Sequence, residues 1–293
     1  LIREVNAGGG GSYTLSFSNE SPDAVSQHTV LMQIYPATNG ESWFNDTGWG
    51  GEEGTECSWF GVNCNEDGQI RSLDLQENNL SGTLPDSIGQ LSHLENLNLY
   101  GNEIGGPIPA TLGQLSQLSG LGLYDNNFTG TIPSALGQLS NLNYMDLGGN
   151  ELTGPIPASF GNLGSLSSLY LYNNMLSGSI PDELGQLGNL TILNVSDNDL
   201  TGWVPQSILD RNLSELSLWG NPLSISTQER AALLALYNAA GGANWIDSAG
   251  WLGEPRRRHE PRPGRRRVQR RRDRRDHRRR RDDHQRGVGR GRQ

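Results

Sequence analysis

The stretch that decides the fold is residues 94–117, LENLNLYGNEIGGPIPATLGQLSQ, which returns at residues 118–141 as LSGLGLYDNNFTGTIPSALGQLSN. The same phrase runs from Ile70 to Leu223 and contains an asparagine that recurs at steps of 24 residues, with a last step of 23. These asparagines are Asn78, Asn102, Asn126, Asn150, Asn174, Asn198 and Asn221. A pattern with a period of about 20–50 residues indicates a solenoid, in which each repeat packs only on its neighbours.

Each repeat has an internal logic that predicts its shape. Leucines two positions apart, such as Leu97 and Leu99, point inward from a β-strand while the residue between them faces outward. The asparagine can bond to the backbone of adjoining turns, and the glycine and proline that follow suit a tight turn. One more apolar residue closes the core from the convex side, and all but the last are followed by glycine: Ile88, Leu112, Leu136, Phe160, Leu184 and Ile208. The sequence therefore predicts an α/β solenoid, a right-handed curved array of seven 23–24-residue repeats with a parallel concave β-sheet and an N-terminal helical cap.

Residues 29–69 are predicted to form that cap, because the first repeat would otherwise expose its apolar cross-section. They contain an apolar helical pattern, three tryptophans and the two cysteines of the chain, Cys57 and Cys64. A disulfide between the two would close a short aromatic loop over the end of the array. Two buried free thiols are the alternative. A metal site is disfavoured, because two cysteines without a nearby histidine fall short of the usual ligand set. A structural disulfide would imply an oxidising compartment.

The motif Cys57-x-Trp59-x-Gly61-Val62-x-Cys64, followed by the repeat Leu-x-x-Leu-x-Leu-x-x-Asn-x-Leu-x-Gly-x-Ile-Pro, resembles the plant-type extracellular leucine-rich repeat family. Receptor-kinase ectodomains, polygalacturonase inhibitors and similar bacterial and algal surface proteins share this pattern. The resemblance extends over about residues 29–223. It implies an extracellular or cell-surface recognition module that binds a protein, peptide or carbohydrate and has no catalysis of its own.

The remaining segments differ in composition from the array, which is assigned to residues 70–223. Residues 1–28 are predicted to be a linker or the end of a preceding β-domain. Residues 224–254 resemble a second cap, since Tyr35 corresponds to Tyr237 at a shift of 202 residues. Residues 255–293 are rich in arginine and are predicted to be disordered. Three explanations of that tail stay open: a frameshift artefact, a basic arm for polyanions, and an intramolecular partner of the acidic body.

Charge and residue types exclude several functions. Residues 1–254 hold 27 acidic residues against four arginines, whereas residues 255–293 hold 19 arginines against five acids. The acidic body is therefore not expected to bind nucleic acid, and no apolar run reaches the ~18–20 residues of a membrane helix. The chain has no lysine, and the body has only His28, in the predicted linker, and His93. No nucleophile–base pair is evident, so no enzyme activity, cofactor or metal site is predicted.

The candidate ligand-binding residues are those that face outward from the concave strands. They are Tyr100, Tyr124, Tyr144, Asp146, Tyr170, Tyr172 and Trp219. Exposed tyrosine and tryptophan dominate binding hot spots, and acids beside aromatics suit a peptide or glycan laid along the sheet. The competing interpretation is surface packing, because aromatic residues favour strands and stabilise one another without a ligand.

The sequence leaves three other functions open beside recognition. An inhibitor of a secreted glycosidase would use the same scaffold but should carry a matching C-terminal cap. The ectodomain of a receptor kinase would continue into a membrane helix and a kinase. A structural or adhesive surface protein is favoured by the second cap-like segment. The oligomeric state is not predicted.

Overall fold

A computed structural model of the chain describes residues 26–211 and 213–224, with Ala235 beyond them. Contacts divide the chain into two compact units, Leu1–Leu252 and Gly253–Gln293, and all the described residues belong to the first. Residues 1–25 of the predicted linker, most of the second cap-like segment and the arginine-rich tail lie outside the described residues.

The described region contains two α-helices and fourteen β-strands, besides short 3-10 helices. The helices are α1 (Gln27–Ala37) and α2 (Gln206–Leu209). In chain order the strands are β1 (Val62–Cys64), β2 (Ile70–Asp74), β3 (Ser81–Thr83), β4 (Asn96–Asn98), β5 (Glu103–Pro107), β6 (Gly120–Gly122), β7 (Asn127–Thr131), β8 (Tyr144–Asp146), β9 (Glu151–Gly154), β10 (Ser168–Tyr170), β11 (Met175–Gly178), β12 (Ile192–Asn194), β13 (Asp199–Leu200) and β14 (Glu215–Ser217).

The cap is built on α1, which buries Val30, Leu31 and Ile34. The helix begins after Ser26, whose hydroxyl accepts a hydrogen bond from the Thr29 amide at 3.2 Å. Gln27 and His28 therefore belong to the cap helix and not to the preceding linker, which corrects the boundary drawn from the sequence. An N-cap serine explains this start, because its oxygen satisfies an amide that the first helical turn leaves without a partner.

Three tryptophans and a disulfide complete the cap. Trp43, Trp49 and Trp59 are buried, and their rings follow one another with centroids 4.7 and 5.4 Å apart. The bond predicted between Cys57 and Cys64 is confirmed, so neither thiol is free. Strand β1 then runs antiparallel to β2 and joins the cap to the repeats.

The longer sheet has eight strands in the order β1-β2-β4-β6-β8-β10-β12-β14. From β2 onward the strands are parallel, and equivalent residues of successive repeats stand directly opposite one another, as Leu73 does to Leu97 and Leu97 to Leu121. The solenoid with a parallel sheet is thereby confirmed. The outward side of this sheet is called the concave face below.

A second sheet of six parallel strands, β3, β5, β7, β9, β11 and β13, was not predicted. Its strands follow the asparagines, in the segment that the sequence analysis treated as a turn. Its register is staggered: Ser81 stands opposite Glu103, and Gly105 opposite Asn127, a step of 22 residues instead of 24. Equivalent side chains are therefore aligned across the concave face but displaced by two positions from strand to strand on the second sheet.

The convex side is a stack of short 3-10 helices. They are Asp86–Gln90, Ala110–Gln114, Ser134–Gln138, Ala158–Asn162 and Asp182–Gln186, and α2 occupies the same place in the next repeat. Each contributes its predicted apolar residue to one continuous core that extends from α1 to β14. The glycine after that residue allows close stacking: a Cβ on Gly113 would lie 2.3 Å from the carbonyl oxygen of Ala135 in the next repeat.

The buried asparagines link the two sheets. The Asn126 side chain donates to the carbonyls of Leu99 and Leu123 at 2.9 and 3.2 Å, and its oxygen accepts from the Ile104 amide at 3.1 Å. The same pattern recurs at each later asparagine to Asn221. Buried backbone groups need such partners, so each asparagine satisfies groups of two adjacent repeats at once.

Candidate ligand-binding surface

The concave face brings most of the predicted site residues together on neighbouring strands. Its register places Asp146 between Gly122 of β6 and Tyr170 of β10, and Tyr144 between Gly120 and Ser168. Tyr100, Tyr124 and Tyr172 follow two residues after the ends of β4, β6 and β10. Five tyrosines and one carboxylate thus occupy four consecutive repeats.

Tyr100 and Tyr124 form a stacked pair at one end of this group. Their ring centroids are 4.2 Å apart and the planes differ by 11°. The Tyr100 hydroxyl donates a hydrogen bond to Glu77 Oε1 at 2.8 Å, and this bond is the main cause that raises the pKa of Tyr100 to about 12. The pair offers a flat aromatic surface beside a carboxylate.

Asp146 lies at the centre of the group and is only 5% exposed. The Gly148 amide donates to its Oδ1 at 2.9 Å, and the Tyr144 hydroxyl donates to its Oδ2 at 3.1 Å. Burial raises the pKa of Asp146 to about 6 although both hydrogen bonds favour the ionised form. Burial disfavours the charged form because it removes water from the carboxylate.

The other rings surround this carboxylate. Tyr144, 36% exposed, approaches Tyr170 with centroids 5.8 Å apart, and Tyr170 meets Tyr172 edge-on at 6.5 Å. A Cβ on Gly148 would lie 2.4 Å from the Tyr172 ring, so the absence of a side chain there lets the ring lie across the strand. Burial, followed by the charge of Asp146, raises the pKa of Tyr144 and of Tyr172.

Trp219, the remaining predicted residue, is half-buried and lies beyond β14. Its carbonyl accepts a hydrogen bond from the Asp197 amide at 2.8 Å. Within the described residues its ring makes no contact with the five tyrosines. The structure therefore brings together six of the seven predicted residues and leaves Trp219 apart from them.

Sequence reasoning missed two notable features. His28 Nδ1 forms a 2.7 Å hydrogen bond with Glu56 Oε1, and the His28 ring meets Trp59 edge-on, which places His28 in the cap. Trp203 is 60% exposed at the end of the second sheet, where its backbone pairs with Ser224. The signal for Trp203 was available, because earlier repeats have proline, threonine or serine at this position.

Other kinds of site are not evident in the described part of the chain. No three His, Cys, Asp or Glu side chains among residues 26–224 are grouped as metal ligands would be. None of the described helices combines the length and hydropathy of a membrane span.

Comparison with known proteins agrees with this geometry. Two models of the leucine-rich repeat match, one at residues 116–176 and 141–200 and the other at residues 69–91 and 93–115. Leucine-rich repeat protein 1 of Arabidopsis thaliana is 36% identical over 92 residues, which are 31% of this chain and 33% of that protein. Leucine-rich repeat protein 2 of the same plant is 38% identical over 97 residues, 32% of this chain and 35% of that one. The matches thus span about a third of the length of these relatives.

Solved structures give the same result. A plant ice-binding protein superposes with a TM-score of 0.62 at 32% identity and covers 67% of this chain and 63% of its own. Pollen Receptor Kinase 3 superposes with a TM-score of 0.57 at 31% identity, covering 62% of this chain and 89% of its own. The plant peptide hormone receptor RGFR1, solved in complex with RGF2, has a TM-score of 0.52 at 41% identity and covers 53% and 25%. With its cap disulfide, its asparagine-linked repeats and its receptor-like neighbours, the chain belongs to the plant-type extracellular leucine-rich repeat family.

Proposed function

We propose that this chain is an extracellular or cell-surface recognition module that binds a protein or peptide on its concave face and has no catalysis of its own. The observation that carries the proposal is the aligned tyrosine group around Asp146, which spans four repeats. Aligned rows present one continuous surface to an extended ligand, whereas the staggered second sheet does not. Aromatic side chains provide large contact area at a low cost in conformational entropy.

Several observations favour a protein or peptide over a carbohydrate ligand. RGFR1, a plant peptide hormone receptor, was solved in complex with RGF2, and Pollen Receptor Kinase 3 is structurally similar as well. The cap disulfide suits an oxidising compartment, which supports the extracellular location. A receptor ectodomain is therefore preferred over a glycosidase inhibitor or an adhesive protein.

The test is a binding screen with the complete chain against secreted-peptide and glycan libraries. A variant with Tyr100, Tyr124 and Tyr172 replaced by alanine should lose at least about 2 kcal/mol of binding free energy for any ligand found. Phe44→Ala is the matched control, because Phe44 is an exposed aromatic residue of the cap, 48% exposed. Equal affinities for the wild type and the triple variant would rule out the concave face.

Ice binding is a second candidate function, favoured by the similarity to the plant ice-binding protein. The second sheet presents small hydroxyl side chains at a regular strand spacing, including Thr131 opposite Thr153. A surface that recognises a periodic solid needs such regularity. Met175, which is exposed and stands opposite Thr153, interrupts this series of hydroxyl side chains. Ice binding therefore ranks below peptide binding.

Inhibition of ice recrystallisation by the purified chain tests this second function. If the second sheet is responsible, Thr131→Lys with Thr153→Lys should abolish the inhibition while Tyr124→Ala leaves it unchanged. A wild-type chain that leaves ice growth unaffected would exclude it.

A further inference from the structure

The centre of the concave face holds a carboxylate that has lost nearly all contact with water. Asp146 is 5% exposed, and its hydrogen bonds come from the neutral Tyr144 hydroxyl and the Gly148 amide. Arg71 forms an ion pair with Glu95 and His28 forms a hydrogen bond with Glu56, so neither is a partner of Asp146. Buried charges are ordinarily paired with an opposite charge, because burial removes the hydration that stabilises them. In the described part of the chain nothing supplies that charge to Asp146.

The surroundings of Asp146 suit a cation in a second way. The charge of Asp146 acts on the hydroxyls of four nearby tyrosines, which are Tyr124, Tyr144, Tyr170 and Tyr172. The faces of tyrosine rings attract cations, and the attraction grows when water is excluded. A carboxylate among aromatic rings thus combines the two kinds of group that bind an organic cation.

We propose that Asp146 and the tyrosines around it form a site for a guanidinium group, such as an arginine side chain of a peptide ligand. This proposal rests on the proposed function, since it names the chemistry of the ligand at the same face. A planar guanidinium both stacks on aromatic rings and donates two parallel hydrogen bonds to one carboxylate. Its entry displaces the Tyr144 hydroxyl from Oδ2, and Tyr144 is the most exposed ring of the group.

Binding at this site depends on the ionisation of Asp146, whose pKa is about 6 without ligand. The titratable groups that interact with its charge are Tyr144 on its own strand, Tyr124 after β6, and Tyr170 and Tyr172 at β10. The tyrosine hydroxyls have raised pKa values and stay neutral near pH 6. A bound cation lowers the pKa of Asp146, so affinity should be constant above pH 7 and decline below pH 6.

The experiment titrates the complete chain with N-acetyl-arginine amide and with its neutral isostere N-acetyl-citrulline amide. Ring-labelled tyrosine NMR reports binding, since the chain has only eight tyrosines and Tyr35 in the cap serves as internal reference. We expect millimolar binding of the arginine probe, shifts of Tyr144 and Tyr172, and at least about tenfold weaker binding of the citrulline probe. Equal binding of both probes, or no binding of either, overturns the proposal.

Two variants separate the site from general charge effects. Asp146→Asn keeps the shape of the side chain and should weaken arginine binding by about tenfold or more. Glu183→Gln removes one negative charge from the convex side and should leave the affinity for the arginine probe unchanged. The arginine-rich segment is common to all variants, so its contribution cancels. An equal loss of affinity in both variants would show that net charge alone causes the effect and would overturn the proposed site.

The two proposals fail separately. If the arginine probe does not bind but a partner loses affinity in the triple tyrosine variant, the guanidinium site is wrong and the concave-face function stands. If the probe binds only when Asp146 is present but the partner ignores the tyrosine substitutions, the site is supported and the concave-face function is wrong.

Discussion

At the scale of single residues, the buried carboxylate of Asp146 should lower the free energy of unfolding at neutral pH. Its pKa is 3.8 for a free side chain and about 6 in the folded protein, so the folded state binds the proton more tightly. Stability therefore falls as the pH rises from about 4 to 6, because the unfolded state binds fewer protons over that interval. Above pH 6 the penalty is complete.

Asp146→Asn removes this penalty, and we expect it to raise the free energy of unfolding at pH 7 by roughly 1–3 kcal/mol. The gain should shrink toward zero at pH 4. Urea unfolding of wild type and variant from pH 4 to 8 measures it, with Glu183→Gln as the control for loss of charge. A variant that is less stable than the wild type at pH 7 would show that the carboxylate is held by attractions that outweigh its burial.

Asn150 illustrates how one side chain maintains several backbone groups. It donates to the carbonyls of Leu123 and Leu147 and accepts from the Phe128 amide, all within 3.1 Å. Asn150→Ala leaves those groups buried without partners, and we expect a loss of about 3 kcal/mol or more of unfolding free energy. Asn141→Ala, which removes one exposed hydrogen bond to the Ser116 carbonyl, should cost less than about 1 kcal/mol of unfolding free energy. Comparable losses of unfolding free energy for the two variants, measured by thermal or urea unfolding, would mean that water satisfies the backbone groups that Asn150 leaves.

At the scale of elements, the close stacking of the 3-10 helices limits which glycines can be replaced. The limit is the space for a Cβ atom and not the backbone conformation of the glycine. A Cβ on Gly113 would meet the Ala135 carbonyl oxygen at 2.3 Å, whereas one on Gly164 would meet nothing within 4 Å. Gly113→Ala forces the helices apart and should destabilise the chain by about 1–3 kcal/mol. Gly164→Ala should be neutral or slightly stabilising. Urea unfolding distinguishes them, and a neutral Gly113→Ala would show that the stack yields at no cost.

The same contacts explain why the repeat pattern changes at its end. Ile208 is followed by Leu209 where earlier repeats have glycine, and Leu209 packs partly against the core. Among the described residues no further helix stacks on α2, so no close approach requires a glycine there. The exception in the pattern is thus a consequence of position in the array.

These elements also show what could be predicted from sequence. The inward leucines and the asparagines follow directly from local periodicity and are where they were expected, whereas glycines expected in turns, such as Gly82, lie in strands of the second sheet. The second sheet was missed because its strands, such as Ser81–Thr83, have little alternation of apolar and polar residues, and their hydrogen bonds come from neighbouring repeats. The tyrosine group could be assembled from the repeat register. The burial of Asp146 could not, because it depends on how rings from adjacent repeats lie over the strand.

At the scale of the whole molecule, the packing contacts of the array run along a single line, from each repeat to its two neighbours. Each sheet strand and each convex helix packs on its equivalents in the preceding and following repeats, as β6 does on β4 and β8. A ligand on the tyrosine group therefore contacts four repeats, and its effect on distant repeats is transmitted through each intervening interface. Stability in such arrays is approximately a sum of repeat and nearest-neighbour terms.

Nearest-neighbour packing predicts which pairs of substitutions interact. Gly113 abuts Ala135 in the Ser134–Gln138 helix, and Gly137 in that same helix abuts Ser159 of the next. In the double variant Gly113→Ala with Gly137→Ala, a shift of the shared helix that relieves one contact alters the other. We expect the sum of the two single-variant costs to differ from the cost of the double variant by about 0.5 kcal/mol or more.

The control is the double variant Gly113→Ala with Gly185→Ala. These two glycines do not contact a common helix, so their costs should add within about 0.3–0.5 kcal/mol. Urea unfolding of the single and double variants, followed by circular dichroism, gives both coupling energies. Equal coupling in the adjacent and the distant pair would mean that strain spreads through the array as a whole and would contradict the nearest-neighbour description.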